Sequence, residues 1–120
     1  AADQDYGLKV SKMVPFFGRT AATVTFPERL SKSGVKIVMA NVSRGLEGFN
    51  LEFHEIADYK EKGSVLKEVN EYYEKFILKS PENFLWTHRR FKSRPEGEES
   101  IYSEWKSRDK RRKKKRLSRK

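Results

Sequence analysis

The sequence contains one long helical pattern, Ser64-Val65-Leu66-Lys67-Glu68-Val69-Asn70-Glu71-Tyr72-Tyr73-Glu74-Lys75-Phe76-Ile77. Apolar side chains recur on one face at the spacing of an α-helix. The charged residues occupy the opposite face: Lys67, Glu68, Glu71, Glu74 and Lys75. The pattern predicts an amphipathic helix that begins after Ser64 and packs its aromatic stripe against the core.

Two extended patterns precede this helix. Val35-Lys36-Ile37-Val38-Met39-Ala40 is rich in β-forming residues, and Phe49-Asn50-Leu51-Glu52-Phe53 alternates between apolar and polar side chains. Both are predicted strands. Gly45 and Gly48 mark the connection between them as a hairpin or a short loop.

The N-terminal part predicts a further extended run and a helix. Met13-Val14-Pro15-Phe16-Phe17-Gly18 is apolar but contains a proline, which favours an edge strand or a buried loop. Thr25-Phe26-Pro27-Glu28 has the spacing of a capping box, and Gly34 is placed as the stop of the helix that follows. A helix that starts earlier, over residues 19–24, and kinks at its proline is an open alternative.

Aromatic and cationic side chains are concentrated after the long helix. Ser80 is a predicted N-cap, and Pro81 is placed at the first position of a second helix. Residues 85–97 contain four cations and one imidazole. The apolar side chains of this segment are Leu85, Trp86 and Phe91. Together the elements predict an α/β fold, with a few strands and two to three helices, over residues 1–105.

The composition limits the classes of protein to consider. At 120 residues the chain has room for one modest domain. It has no run of eighteen apolar residues, so the sequence predicts no membrane-spanning helix. Its cysteine count of zero excludes disulfides and thiolate metal sites.

The formal charge of +10 is unevenly distributed. Residues 106–120 contain eleven Lys or Arg and one Asp, whereas residues 1–105 contain sixteen cations and sixteen anions. The like-charged tail is predicted to be disordered. A small nucleic-acid-binding module that uses the tail is the alternative function. The neutral body argues against it, so nucleic acid is not an expected partner.

The two histidines, His54 and His88, are the candidates for a catalytic base. His54 is followed by Asp58 after three residues, and a base of this kind would accept a proton from a substrate hydroxyl. His88 lies among aromatic and cationic residues. It is either a structural histidine that hydrogen-bonds a backbone or carboxylate group, or part of a cluster that faces phosphate.

Three blocks resemble the late acyltransferases of bacterial lipid A synthesis, the lauroyl and myristoyl transferases. They are Asp3-Gln4-Asp5-Tyr6-Gly7, Val14-Pro15-Phe16-Phe17-Gly18 and Pro81-Glu82-Asn83-Phe84-Leu85-Trp86-Thr87-His88-Arg89-Arg90-Phe91-Lys92-Ser93-Arg94-Pro95-Glu96-Gly97. The resemblance covers residues 1–102. It implies the C-terminal part of an acyltransferase-type α/β domain, which transfers an acyl chain from an acyl carrier protein thioester to a hydroxyl of a Kdo-lipid A precursor.

The resemblance also implies a set of site residues. Asp3 falls on the family's active-site Asp, and Asp5 is its partner in the motif. Phe16 and Phe17 would line an apolar wall, with ordinary core as the alternative. The expected substrate-binding residues are Asp5, Phe16, Phe17, His88, Arg89, Arg90, Lys92 and Arg94. No cofactor or metal is expected.

The family's catalytic base is a His followed, after four residues, by Asp or Glu, and the spacing of His54 and Asp58 departs from that pattern. The chain is therefore expected to be a fragment, inactive alone, whose N-terminal half carries the base and a membrane anchor. The expected location is the cytoplasmic face of the inner membrane. The tail would attract anionic lipid through Lys110, Arg111, Arg112, Lys113, Lys114, Lys115 and Arg116.

Overall fold

The computed structural model describes residues 2–56 and 64–103. In chain order, its regular elements are a 3₁₀ helix at Leu8–Val10, strands β1 (Ser11–Phe16) and β2 (Arg19–Val24), helix α1 (Phe26–Lys32), strands β3 (Ile37–Gly45) and β4 (Gly48–Ile56), helix α2 (Val65–Lys79) and a 3₁₀ helix at Pro81–Asn83. This mixture of strands and helices confirms the predicted α/β class.

The first two strands form an antiparallel hairpin in which Phe16 is paired with Arg19. The two turn residues, Phe17 and Gly18, have φ values of 48° and 71°. Two successive positive φ angles fit the right-handed twist of a two-residue hairpin. β1 is therefore a strand, and the alternative helix over residues 19–24 is wrong because those residues form a ladder with it.

Helix α1 begins where the sequence predicts, but the predicted capping box does not form. Thr25 is already helical in backbone conformation and makes no side-chain cap. Its hydroxyl instead donates to the carbonyl of Val10, at 3.2 Å, which ties the start of the helix to the segment before β1. Gly34, with a φ of 76°, ends the helix as predicted.

The two later strands form a second antiparallel hairpin. β3 and β4 pair along their whole length, from Ile37 with Ile56 to Gly45 with Gly48. Both predicted strands are confirmed, and each is longer than its sequence pattern. Among the described residues, each hairpin is a separate two-stranded sheet.

Helix α2 packs against both hairpins. Ser64 caps it by accepting from the amide of Lys67, at 3.4 Å. One core cluster joins Val65 and Val69 to the second hairpin, and another joins Ile77 to the first. Their partners in the hairpins are Met39, Ile56, Phe16 and Ala21. The predicted amphipathic helix is confirmed.

The buried face of α2 is wider than the apolar stripe. Glu68, predicted on the solvated face, is only 7% exposed, and Asn70 is fully buried. The prediction for Glu68 was wrong because α2 packs against elements on more than one side, contacting β1, β2 and β4. None of the helices in the described ranges is long and apolar enough to cross a bilayer.

The second helix predicted after Ser80 is wrong. Only the 3₁₀ turn Pro81–Asn83 forms, and the side chain of Ser80 does not cap it. The indole of Trp86 donates back to the carbonyl of Pro81 at 2.6 Å, and backbone bonds such as that from His88 to Leu85 continue the chain as turns. This leaves Leu85 and Trp86 exposed rather than on an apolar helix face.

Candidate functional site

A buried carboxylate joins the first and last of the three sequence blocks. Asp5 is 2% exposed. One of its oxygens accepts from the amide of Gly7 at 2.9 Å and from the hydroxyl of Ser93 at 2.8 Å. The other oxygen accepts from the amide of Ser93 at 2.8 Å. Asp5 and Ser93, 88 positions apart, are thus held together by two hydrogen bonds to a charged acceptor, the stronger kind.

His88 completes this junction through its ring. The amide of Asp5 donates to Nε2 of His88 at 2.9 Å. Because Nε2 is an acceptor, the proton of the neutral ring lies on Nδ1. The contact makes His88 a positioning residue for the loop that carries Asp3 and Asp5.

Arg90 lies in the core rather than on a cationic surface. It is 2% exposed. Its guanidinium donates to the carbonyl of Ala22 at 2.7 Å and to the hydroxyl of Thr23 at 2.9 Å. It also lies 5.0 Å from the ring centroid of Phe16, within cation–π range. These bonds attach the last block to β2, and they turn the guanidinium away from any phosphate at the surface.

Asn70 connects helix α2 to the same network. Its amide donates to the carbonyl of Pro15 at 2.8 Å and to the hydroxyl of Thr23 at 3.0 Å. The guanidinium of Arg90 reaches its side-chain oxygen at 3.4 Å. Sequence reasoning did not identify Asn70, Thr23 or Ser93 as part of the site. A signal was present for Asn70, which lies next to Val69 and four residues after Leu66, on the buried face.

Aromatic rings join the middle block to the last one. Phe16 is buried, and its ring lies 5.9 Å from that of Phe91 and 4.9 Å, edge-on, from that of Phe17. Phe17 is on the hairpin turn and remains 39% exposed. Its amide donates to a carboxylate oxygen of Glu74 at 2.7 Å. Phe16 is core in this structure, whereas the ring of Phe17 is accessible to a ligand.

Asp3 lies at the edge of this junction and is half-buried. Burial raises the pKa of Tyr73 to about 12, and the negative charge of Asp3 contributes to that rise. Burial lowers the pKa of Arg90, and the charges of Asp5 and Asp3 oppose that change. Asp3 is therefore within electrostatic reach of a partly buried phenol and a buried guanidinium.

The remaining cations of the last block differ in how accessible they are. Lys92 is exposed, and Arg89 is half-buried. Arg94 has a side chain only 10% exposed, which forms an ion pair with Glu98. It also donates to the carbonyl of Thr20 at 2.6 Å. Lys92 is thus the cation of this block with the greatest freedom to meet an anionic ligand.

His54 lies in a different region, on the groove of about 280 Å³ between the second hairpin and α2. Its ring stacks on Tyr72, with centroids 4.8 Å apart, and the hydroxyl of Tyr72 accepts from the side chain of Asn41 at 2.7 Å. Asp58 and the tail, residues 106–120, lie outside the described residues, so the structure does not test those predictions.

Comparison with known proteins points to one family. A sequence model described as bacterial lipid A biosynthesis acyltransferase matches residues 1–93. The chain is 33% identical to a lipid A biosynthesis palmitoleoyltransferase of Escherichia coli (strain K12), over 85% of this chain and 35% of that protein.

Two other relatives give similar results. A lipid A biosynthesis lauroyltransferase of the same organism is 34% identical, over 85% of this chain and 36% of that protein. A lipid A biosynthesis acyltransferase of Haemophilus influenzae is 31% identical, over 80% and 33% respectively. The chain therefore spans about a third of the length of the curated relatives it matches. No solved structure matches it.

Proposed function

The chain belongs to the bacterial lipid A biosynthesis acyltransferase family, and from that premise we propose that it forms the Asp3 side of an acyl-transfer site. The proposal rests on the contacts of the last sequence block with the first and the middle blocks. Asp5, His88 and Ser93 join the first block to the last, and Phe16 joins the middle one to Phe91. The last block thus contacts both the loop that carries Asp3 and the middle block.

The proposed reaction moves an acyl chain from an acyl carrier protein thioester to a hydroxyl of a Kdo-lipid A precursor. The hydroxyl oxygen attacks the thioester carbonyl, a C–O bond forms, the C–S bond breaks and the carrier leaves as a thiol. The hydroxyl proton passes to a base, a transfer worth on the order of a hundred- to ten-thousand-fold in rate. By family resemblance, that base is a His with a downstream acid outside this chain.

In this proposal the residues of the chain have separate roles. Asp3 is the active-site carboxylate, half-buried and therefore able to reach a substrate. Asp5 and His88 position its loop, and Arg90 attaches the last block to β2, because the polar atoms of all three are engaged inside the protein. The proposed ligands for the phosphates of the precursor are Arg89, Lys92 and Arg94, and Phe17 is the proposed apolar contact.

Domain organisation and location follow as parts of the same proposal. Residues 1–105 form the acyltransferase portion, and residues 106–120 form a basic tail. The tail would hold the enzyme at an anionic membrane surface, with about 1 kcal/mol for each Lys or Arg near the lipid. That arrangement would place the site beside a lipid acceptor at the cytoplasmic face of the inner membrane.

The proposal is tested by transferring the chain into a relative. The matched region of the Escherichia coli palmitoleoyltransferase is replaced by this chain, and the chimera is supplied with an acyl carrier protein thioester and the Kdo-lipid A precursor. We expect an acylated product, identified by mass. The controls are the relative without its matched region and the chain alone, both expected to be inactive. A folded chimera that forms no product would contradict the proposal, and activity in the chain alone would contradict the external base.

A further inference from the structure

The second hairpin, β3–β4, has two faces, and helix α2 covers only one of them. The covered face contributes Met39 and Ile56 to the core. The other face, here called the outer face, contains Val38, Ala40, Val42, Phe49, Leu51 and Phe53, which the register brings together: Ala40 is opposite Phe53, and Val42 is opposite Leu51. All six of these residues are exposed.

A strand with one solvated side is expected to place its polar residues on that side. In β4 the polar residues are mostly on the opposite side. Its polar residues Asn50, Glu52 and His54 share the side that faces α2, and its apolar residues other than the buried Ile56 are on the outer face. β3 carries apolar residues on both sides, a pattern typical of strands that are buried on both faces of a sheet. The sequence of the hairpin is thus that of a sheet with a second covering layer.

The exposed apolar surface is too large to be incidental. Phe49 is 76% exposed and Phe53 is 67% exposed. Since a phenylalanine can bury 150–250 Å², these two rings alone leave on the order of 300 Å² exposed. Val38, Val42 and Leu51, each more than half exposed, extend the surface further. A contiguous patch of this size is typical of an interaction site.

We propose that the outer face is the surface on which the part of the family acyltransferase outside the matched region packs, whether in one polypeptide or as a separate chain. The matched relatives have about two-thirds of their length outside the region shared with this chain. The sheet of an α/β domain is mostly parallel with helices on both faces, and antiparallel strands occur at its edge. Within the described residues, the outer edges of β3 and β4 are unpaired, so the sheet can also be extended. The inference rests on family membership and not on the catalytic proposal.

The experiment uses the whole chain and its lack of cysteine. Single cysteines are introduced by Leu51→Cys and Phe53→Cys on the outer face. Leu78→Cys, at an apolar position on α2 that is 74% exposed, serves as the matched control. Maleimide labelling rates are measured for each variant alone and after co-expression with the remaining portion of the Escherichia coli palmitoleoyltransferase.

We expect a co-purifying complex in which both outer-face cysteines label at least a hundredfold more slowly than in the chain alone, with the control changed less than threefold. Two outer-face positions guard against one variant that fails to fold. The inference is overturned if no complex forms or if the outer-face cysteines remain reactive in it. It is also overturned if protection already appears in the chain alone and rises with its concentration, which indicates a second copy, or appears only with anionic vesicles, which indicates lipid.

Discussion

Replacing Arg90 by lysine keeps a positive charge but removes the forked geometry of the guanidinium. One arm of that fork donates to the carbonyl of Ala22 at 2.7 Å, and the other donates to Thr23 at 2.9 Å. A lysine nitrogen at the end of a flexible stem cannot reproduce both bonds at these angles. One hydrogen bond from a charged donor is therefore lost inside the core.

The magnitude follows from burial. Since Arg90 is 2% exposed, loss of one such bond lowers the free energy of unfolding by about 1.5–3 kcal/mol. Arg90→Ala removes both bonds and the packing against Phe16, and at the same magnitude for each bond it should cost about 3–6 kcal/mol. The matched control is Lys92→Ala, because Lys92 is in the same block but exposed, and we expect a change within about 0.5 kcal/mol.

The assay is equilibrium unfolding in urea, followed by circular dichroism for the three variants and the parent chain. If Arg90→Lys and Arg90→Ala both unfold within 0.5 kcal/mol of the parent, the reasoning is refuted, because the guanidinium cannot then be a core group. A surface role in phosphate binding would give that result. If Arg90 bound phosphate at the surface, its substitution would also weaken the binding of inorganic phosphate to the chain. Substitution of a core group would not.

Three further changes test other parts of the structure. The raised pKa of Tyr73, about 12 because of burial, means that the folded chain keeps a proton which the unfolded chain loses near pH 10. The free energy of unfolding should therefore fall by about 2 kcal/mol as the pH rises from 10 to 12. Urea midpoints measured across that range should fall less steeply for Tyr73→Phe than for the parent chain. Equal slopes would be evidence against a phenol that burial perturbs. Ser93→Ala removes only the hydroxyl bond to Asp5 and should cost about 1 kcal/mol in the same urea assay. Asp5→Ala also leaves the amides of Gly7 and Ser93 without their acceptor and should cost about 3 kcal/mol. Equal losses would show that the backbone bonds contribute nothing. Gly18→Ala introduces a Cβ that meets no atom within 4 Å, so backbone strain at a φ of 71° is what lowers the stability. The fall in the thermal midpoint should correspond to a loss of about 1–2 kcal/mol. An unchanged midpoint would contradict the hairpin turn.

Helix α2 could be predicted from the sequence because its signal is local. The apolar residues recur at the helical period, and Ser64 provides a cap at the N-terminus. The second hairpin was predictable for the same reason, since its strands alternate or are rich in β-forming residues and two glycines flank the turn. Such patterns depend on residues a few positions apart.

The interior of the site could not be predicted in this way. Arg90 lies among other cations in the sequence, a pattern typical of surface residues. Its burial depends on acceptors at Ala22, Thr23 and Asn70, which are 20 to 68 positions away. The helix predicted after Ser80 is wrong for a local reason, since the indole of Trp86 donates to the carbonyl of Pro81, five positions earlier, and the segment continues as turns.

The most direct test of the central claim is acyl transfer by the chimera that carries this chain in place of the matched region of the palmitoleoyltransferase, with Asp3→Asn compared against Glu96→Gln. Both changes remove one carboxylate charge, but Glu96 is exposed and takes no part in the hydrogen bonds of the Asp5 junction. The account predicts that Asp3→Asn lowers the rate of acylated product formation at least a hundredfold in a chimera that stays folded, while Glu96→Gln leaves the rate unchanged. An Asp3→Asn chimera that transfers acyl chains at the parent rate would contradict it.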